Sequence, residues 1–132
     1  MIKIIVPALT IFLLSCRGAG DYEKAEDAQD AGRQFIRASL DGDYEKAKFY
    51  LLKDTINLQL IEQQQKNYRQ LNSFEKKEHQ DANIRMLELK NLNDTLTSYK
   101  YLNTYNIKDT TTLSIVKSNG EWLVDLKSVL KL

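Results

Sequence analysis

The chain has 132 residues, with 19 basic and 18 acidic side chains, a single cysteine and a single proline. This length suits one domain, and a net charge of +1 argues against a nucleic-acid-binding protein, because such proteins usually carry a strongly basic surface. One cysteine excludes an internal disulfide framework and a zinc site made of several cysteines.

The N-terminus departs from this ordinary composition. Lys3 supplies a positive charge, and residues 4–14 form an apolar run that only Pro7 and Thr10 interrupt. As a helix this run would rise about 16 Å, roughly half the hydrocarbon core of a bilayer, and it is too short for a transmembrane anchor. A basic start followed by a short apolar stretch is typical of a secretory signal peptide. We therefore expect residues 1–15 to be a signal peptide that is removed.

The apolar run ends in Leu-Leu-Ser-Cys at residues 13–16, and this ending resembles a bacterial lipobox, in which a small residue precedes an obligatory cysteine. The resemblance implies cleavage between Ser15 and Cys16, a diacylglyceryl group on the Cys16 sulfur, and acylation of the new amine. The alternative is a buried free thiol, but Cys16 precedes an Arg-Gly-Ala-Gly segment at residues 17–20, which offers nothing to pack. Because one acyl chain binds a membrane only marginally, three chains would make the attachment effectively permanent.

The chain is therefore expected to divide into three parts. Residues 1–15 are the signal peptide, residues 16–24 are the lipidated cysteine and a tether, and residues 25–132 are the folded domain. Arg17 occupies the position after the cysteine, where an acidic residue retains some lipoproteins in the inner membrane. This arginine favours a cell-envelope location at the outer membrane, with the face of that membrane left open.

Helical periodicity dominates the first half of the domain. Apolar residues recur at three- and four-residue spacing up to Leu40, which predicts a first helix. Gly42 suits a left-handed cap at the end of this helix, and Asp43 and Asp54 suit the N-caps of a second and a third helix. The predicted helices cover about residues 21–40, 44–52 and 55–70, and the polar residues 71–82 indicate an exposed helical turn or a loop.

After residue 82 the periodicity changes from that of a helix to that of a strand. Alternating β-branched and aromatic residues predict strands over residues 83–90, 95–105 and 110–117. Asn119-Gly120 between two apolar alternations predicts a type I′ hairpin and a further strand. Such a two-residue loop pairs Leu113 with Leu126, Ile115 with Val124, and Lys117 with Trp122. The aliphatic face of these pairs is expected to be buried, and the order of elements predicts an α+β fold, with N-terminal helices packed on an antiparallel sheet of about four strands.

Two segments resemble a known superfamily. Residues 113–125, LSIVKSNGEWLVD, are similar to the C-terminal ending of the nuclear transport factor 2-like superfamily, which has the cystatin-like cone fold. Residues 31–47, AGRQFIRASLDGDYEKA, resemble the first helix of that group and the turn after it. Within the superfamily, residues 25–132 resemble small bacterial lipoproteins that carry domain of unknown function 4878. The resemblance implies helices packed on a strongly curved, cone-like sheet, with a conical pocket between them.

Enzymes of that superfamily place an acidic or histidine base and hydrogen-bonding tyrosines inside the cone, and no such set can be matched to this chain position by position. His79, the only histidine, is either a general base or a solvated side chain, and its polar surroundings favour the second interpretation. Asp94, Asp109 and Asp125 lie near strand ends, and strand alternation places Asp125 on the solvent side. Because no phosphate-binding loop or metal-ligand spacing is present, we predict no catalytic residue, no metal and no cofactor.

The remaining candidates for a site are aromatic. They are Tyr99, Tyr101, Tyr105 and Trp122. Such residues can line a ligand pocket, where their OH and NH groups orient a ligand. The alternative, which we favour, is that they belong to the core and that Trp122 covers Lys117 across the hairpin. The loop after the second predicted strand does not determine its register, so which tyrosines point inward stays open.

Three functions are open at this point. The first, which we favour, is a non-catalytic envelope lipoprotein, anchored in the membrane through Cys16, whose domain binds a small apolar ligand or a partner protein of the envelope. The second is a degenerate or unrecognised lyase or isomerase that uses the cone pocket, by analogy with the superfamily alone. The third is a structural or accessory envelope protein that is recognised through its exposed sheet.

Overall fold

The computed structural model describes residues 22–130, which form four α-helices followed by a four-stranded antiparallel sheet. The helices are α1 (Ala28–Asp41), α2 (Tyr44–Phe49), α3 (Thr55–Gln70) and α4 (Ser73–Asp81). The strands are β1 (Ile84–Asn93), β2 (Leu96–Asn103), β3 (Asn106–Ser118) and β4 (Glu121–Asp125), and a short 3-10 helix, η1 (Leu126–Val129), follows them. The predicted α+β fold is confirmed. Ser15, Cys16 and the predicted signal peptide lie outside the described residues.

Side-chain caps determine where the helices begin. Asp43 and Asp54 accept hydrogen bonds from a backbone N–H in the first turn of α2 and α3, at 3.2 and 2.8 Å, as predicted. Asp27 caps α1 in the same way, at 2.8 Å from the Asp30 nitrogen, and this cap explains why α1 begins later than about residue 21. Gly42, at φ 74°, takes the predicted left-handed conformation after α1.

Two helical segments differ from the prediction. α2 ends early, at Phe49, because the residues after it run beside β4, where the Leu52 N–H donates to the Val124 carbonyl at 2.8 Å. The polar segment after α3 contains a complete helix, α4, rather than a loop or a single turn. A capping box between Asn72 and Glu75 begins this helix.

The strands pair in the order β1-β2-β3-β4, and the predicted hairpin between β3 and β4 is confirmed. Asn119 and Gly120 both have positive φ, at 51° and 77°, as a type I′ turn requires. The observed register contains two of the three predicted pairs, Ile115 with Val124 and Lys117 with Trp122.

The third predicted pair, Leu113 with Leu126, is wrong. The ladder ends one residue earlier, at Ser114 and Asp125, and Leu126 begins η1. The Asp125 carboxylate accepts a hydrogen bond from the Lys127 N–H at 3.1 Å, and this cap turns the chain out of the strand. Leu113 and Leu126 are both buried nevertheless, so the expected burial of this face is confirmed.

The buried face of the sheet packs against α1. Leu113, Ile115 and Val124 are at most 1% exposed. Tyr99 pairs with Leu113 across the β2–β3 ladder and therefore lies on the same face, as does Tyr101 two residues later. α1 covers this face with apolar residues at helical spacing, namely Ala28, Ala31, Phe35, Ile36, Ala38 and Leu40. β1, in contrast, is an edge strand whose side chains are mostly exposed.

A buried amide ties α3 to the end of the sheet. Asn57 is fully buried; its Nδ2 donates to Asp125 Oδ1 at 3.1 Å, and its Oδ1 accepts from the Leu126 N–H at 2.9 Å. Lys127 adds ion pairs to both Asp125 and Asp54. Asp125 is thus half-buried, and the expectation that it faces solvent is wrong, because these bonds rather than strand alternation decide its direction.

Candidate functional site

A cavity of about 320 Å³ lies between the helices and one end of the sheet. This volume is at the lower end of the range found for small-molecule sites. The lining residues are Phe35, Ile36, Ser39, Leu40, Tyr44, Gln64, Asn67, Tyr68, Leu71, His79, Tyr101, Asn103, Tyr105, Thr111, Leu113, Leu126 and Val129. All four helices, η1 and the two central strands contribute to it, so the cavity is a product of the whole fold.

The floor of the cavity is apolar. Phe35, Ile36 and Leu40 lie on the apolar side of α1, since Ile36 and Leu40 are four residues apart, which places them on one face of a helix, and Phe35 lies beside Ile36. Leu113 from β3 and Leu126 from η1 meet them from the other side. All five side chains are at most 4% exposed. The floor therefore suits the apolar body of a ligand.

Four tyrosines bring hydroxyl groups to the cavity wall. They are Tyr44 from α2, Tyr68 from α3, Tyr101 from β2 and Tyr105 from the β2–β3 turn. Tyr68 Oη accepts a hydrogen bond from Gln80 Nε2 at 3.3 Å, which leaves the hydroxyl proton of Tyr68 for a ligand, since a hydroxyl is both donor and acceptor. The Tyr44 hydroxyl donates to the Gln64 carbonyl oxygen at 3.4 Å, so of the two helix tyrosines it is Tyr68 that offers a free donor above the apolar floor.

The hydroxyl groups of Tyr44, Tyr101 and Tyr105 are uncharged at neutral pH. Burial raises the pKa of Tyr44 to about 12, and burial also raises the pKa values of Tyr101 and Tyr105. Of the described residues, no aspartate, glutamate, lysine or arginine lines the cavity. A charged ligand would lose its hydration here without meeting an opposite charge, which is costly. The cavity therefore favours an uncharged ligand with an apolar body and a hydrogen-bond acceptor.

His79, on α4, lies at the cavity and is half-buried, so the interpretation of this residue as a solvated side chain is wrong. Its ring stacks on Tyr105 with ring centres 4.2 Å apart and meets Tyr68 edge-on at 6.4 Å. His79 Nδ1 is 2.8 Å from the Glu75 carbonyl oxygen. Because a carbonyl only accepts hydrogen bonds, Nδ1 is the donor, and in the neutral ring Nε2 is the acceptor.

The four predicted aromatic residues divide between the cavity and other places. Tyr101 and Tyr105 line the cavity. Tyr99 is a core residue with 2% exposure. Trp122 lies on the β3–β4 hairpin, where Lys117 Nζ is 5.7 Å from the centre of its ring. Tyr99 and Trp122 are therefore not pocket residues, as the favoured interpretation expected, because the first lies beneath α1 and the second at the opposite end of β3.

The acidic candidates lie away from the cavity. Asp94 is exposed in the turn between β1 and β2, and Asp109 is exposed in β3. Asp125 belongs to the network around Asn57. Among residues 22–130, no group of three or more histidine, cysteine, aspartate or glutamate side chains is placed to hold a metal ion.

Sequence reasoning missed several polar residues of the cavity, among them Tyr44, Tyr68 and Asn103. Tyr44 and Tyr68 were visible only as apolar members of helix faces, although their rings meet at 5.9 Å, because nothing local indicates which helix faces converge. Asn103 also lines the cavity, and its buried Oδ1 has no hydrogen-bond partner among the described residues. A single asparagine near a strand end carries no signal for this role.

Comparison of the chain with protein-family models, with curated proteins and with solved structures found no match. Within residues 22–130, no helix combines the length and the apolar character needed to cross a membrane. The cavity and the N-terminal sequence are therefore the two features on which a function can be argued.

Proposed function

We propose that the chain is a lipid-anchored protein of the bacterial cell envelope, and that its domain binds a small uncharged ligand without chemical conversion. The observation that carries the binding proposal is the lining of the cavity, with an apolar floor, tyrosine hydroxyls and no carboxylate, ammonium or guanidinium group among the described residues. The anchor is supported by the basic start, the short apolar run and the lipobox-like residues 13–16. Arg17 supports the outer membrane as the location.

We also propose membership of the nuclear transport factor 2-like superfamily. The helices packed on one face of an antiparallel sheet, with a cavity between the two layers, support this proposal. The similar segments at residues 31–47 and 113–125 support it from the sequence. In the structure these segments are α1 with α2, and the β3–β4 hairpin.

Two fluorescent molecules that differ by one charged group test the binding proposal. N-phenyl-1-naphthylamine is uncharged, and 1-anilinonaphthalene-8-sulfonate has the same ring skeleton with a sulfonate. Titrated into a chain of residues 22–130, the uncharged molecule is expected to bind at least about tenfold more tightly, because the sulfonate meets no lysine or arginine in the described lining of the cavity. Failure of the uncharged molecule to bind, or equal affinity for both, would contradict the proposal.

A cavity-filling substitution shows whether that binding occurs in the cavity. Ser39 is half-buried and lines the cavity from α1, so Ser39→Phe is expected to fill the space and abolish binding of N-phenyl-1-naphthylamine. Ser98 is the matched control, since it lies on the other face of β2 from Tyr99. Ser98→Phe is expected to leave binding unchanged. Equal loss in both variants would place the binding elsewhere.

The anchor has its own test. Cells grown with radiolabelled palmitate are expected to label the full chain, and Cys16→Ser is expected to abolish labelling and leave an uncleaved precursor. Separation of inner and outer membranes locates the labelled protein. Labelling that persists in Cys16→Ser would overturn the anchor and leave the binding proposal standing.

A second candidate function, a lyase or isomerase, is favoured by one observation. With Nδ1 donating to the Glu75 carbonyl, His79 Nε2 is the acceptor nitrogen of a ring at the cavity, and an acceptor imidazole nitrogen can take a proton from a substrate as a general base. The test is to incubate the domain with extracts of small molecules and to follow depletion by mass spectrometry. A compound that is consumed by the natural chain and not by His79→Gln would replace the binding proposal with an enzymatic one.

A further inference from the structure

α4 forms one side of the cavity without burying a side chain of its own. None of its residues is buried, and its one large apolar residue, Phe74, is 72% exposed. Helices in proteins are usually held by the burial of an apolar face. Since α4 has no such face, polar contacts, together with the aromatic contacts of His79, hold it in place.

One side chain of α1 supplies most of the polar contacts. The guanidinium of Arg37 donates to the backbone carbonyls of His79, Gln80 and Ala82 at 3.3, 3.0 and 2.7 Å. These carbonyls are at the C-terminus of α4, where helix carbonyls lack partners and where a positive charge is favourable. Asp41 fixes the guanidinium from the other side at 2.8 Å.

The turn that Arg37 holds is also the turn that meets the cavity. His79 stacks on Tyr105, and Gln80 donates to the hydroxyl of Tyr68. The position of the histidine and of both tyrosine contacts therefore depends on where this turn lies. The other helix walls, α1 and α3, contribute fully buried residues to the core, so their movement would disrupt the fold.

We propose that Arg37 is a positioning residue for the cavity: it latches the last turn of α4 against α1 and thereby sets where His79 and the Gln80–Tyr68 contact lie at the cavity wall. Mobile elements of binding sites come from the regions of a fold with the lowest local stability, and α4, which buries no side chain, is such a region here. The consequence for a ligand rests on the proposed ligand binding. The position and mobility of α4 are measured without any ligand.

Hydrogen exchange of the natural full chain in detergent is the first test. Amides of α4 are expected to exchange through a local opening that urea barely accelerates, whereas amides of α1 and β3 are expected to exchange through global unfolding with strong urea dependence. If α4 exchanges only together with α1 and β3, the proposal is overturned. This measurement needs no substitution and so does not depend on a variant that folds.

Three arginine variants test the latch. Arg37→Met keeps the aliphatic stem and removes the three bonds to α4, and it is expected to accelerate exchange in α4 at least about tenfold. Arg33 lies one turn earlier on α1 and is paired with Asp30, so Arg33→Met is expected to change nothing in α4. Arg37→Lys keeps the charge without the forked geometry and is expected to restore only part of the protection. Equal exchange in α4 for all variants would overturn the latch.

A thiol at the cavity lining reports on the position of the cavity wall. Ser39→Cys introduces a nearly isosteric thiol at the lining, and the uncharged reagent N-phenylmaleimide is expected to label it at a rate that Arg37→Met changes about tenfold and Arg33→Met leaves unchanged. Unchanged labelling in Arg37→Met would overturn the role of the latch in positioning the wall. Peptide mapping separates label on the introduced thiol from label at Cys16, and label at Cys16 would contradict the anchor instead.

Discussion

Gly42 connects the end of α1 to the wall of the cavity. It has φ 74°, and its N–H donates to the Ser39 carbonyl at 3.2 Å. A Cβ at this position would lie 2.6 Å from Tyr68 Cζ and 2.8 Å from its hydroxyl oxygen. Gly42→Ala therefore combines two costs: a left-handed backbone for an L-residue, and a collision with a ring that lines the cavity.

Gly120 measures the first cost alone. Its φ is 77°, and no described atom lies within 4 Å of the position of a Cβ. A left-handed L-residue costs roughly 1–2 kcal/mol, and the lower entropy of an unfolded chain with alanine offsets about 0.4–1 kcal/mol of that. Gly120→Ala is thus expected to lower the free energy of unfolding by about 1 kcal/mol. Overpacking adds about 1–3 kcal/mol, so the expected loss for Gly42→Ala is about 2–4 kcal/mol.

Urea unfolding of residues 22–130, followed by circular dichroism, measures both losses from shifts in the midpoint. A double-mutant cycle with Tyr68→Ala isolates the collision, because removal of the ring makes room for the new methyl group. In that background Gly42→Ala is expected to cost no more than Gly120→Ala. If Gly42→Ala and Gly120→Ala cost the same in the natural background, or if the cycle shows coupling below about 0.5 kcal/mol, the assigned contact with Tyr68 is refuted.

Three further predictions follow from the polar contacts. Asn57→Leu is expected to lower the free energy of unfolding by about 3 kcal/mol, because the buried Leu126 N–H loses its acceptor and the Asp125 carboxylate loses a donor. The exposed control Gln59→Leu is expected to change the free energy of unfolding by less than about 0.5 kcal/mol. Urea unfolding measures both changes. The hydrogen bond from Lys127 holds the pKa of Asp54 below its usual 3.8. The pair therefore stabilises the folded state fully at pH values above 3.8, and this stabilisation is lost as the pH falls through the lower pKa of the folded state. Lys127→Met is expected to flatten the acid limb of a plot of the free energy of unfolding against pH. Burial raises the pKa of Tyr44 to about 12 and also raises the pKa of Tyr101, so ultraviolet titration of the natural chain is expected to show several late-ionising tyrosines and one fewer in Tyr44→Phe.

Features encoded by neighbouring residues were predictable from the sequence. The Asn119-Gly120 turn requires positive φ at two adjacent positions, and the caps at Asp43 and Asp54 act within their own first helical turn. Each of these signals is complete within a few residues, so no knowledge of the rest of the fold is needed. The helix-then-strand order follows from the same local periodicities.

Contacts between distant residues were not predictable. The Arg37 guanidinium and the Ala82 carbonyl are 45 positions apart, and Asn57 and Asp125 are 68 positions apart. Such contacts decide that Asp125 turns inward and that His79 reaches the cavity, against what the polarity of their own segments indicates. The register of β2 likewise depends on β3, and it determines that Tyr101 and not a neighbour points inward.

The cavity exists because α1 touches the sheet at one end and not at the other. Near its start, a Cβ on Gly32 would lie 2.9 Å from Ile115 and 3.0 Å from the ring of Tyr99, so the helix backbone rests directly on the strands. One and a half to two turns later, the face that includes Ser39 borders open space above Leu113. The two layers therefore diverge as a wedge. The tyrosines and His79 of α4 line the wide end of this wedge, so the helix that buries no side chain of its own borders the space that a ligand would occupy.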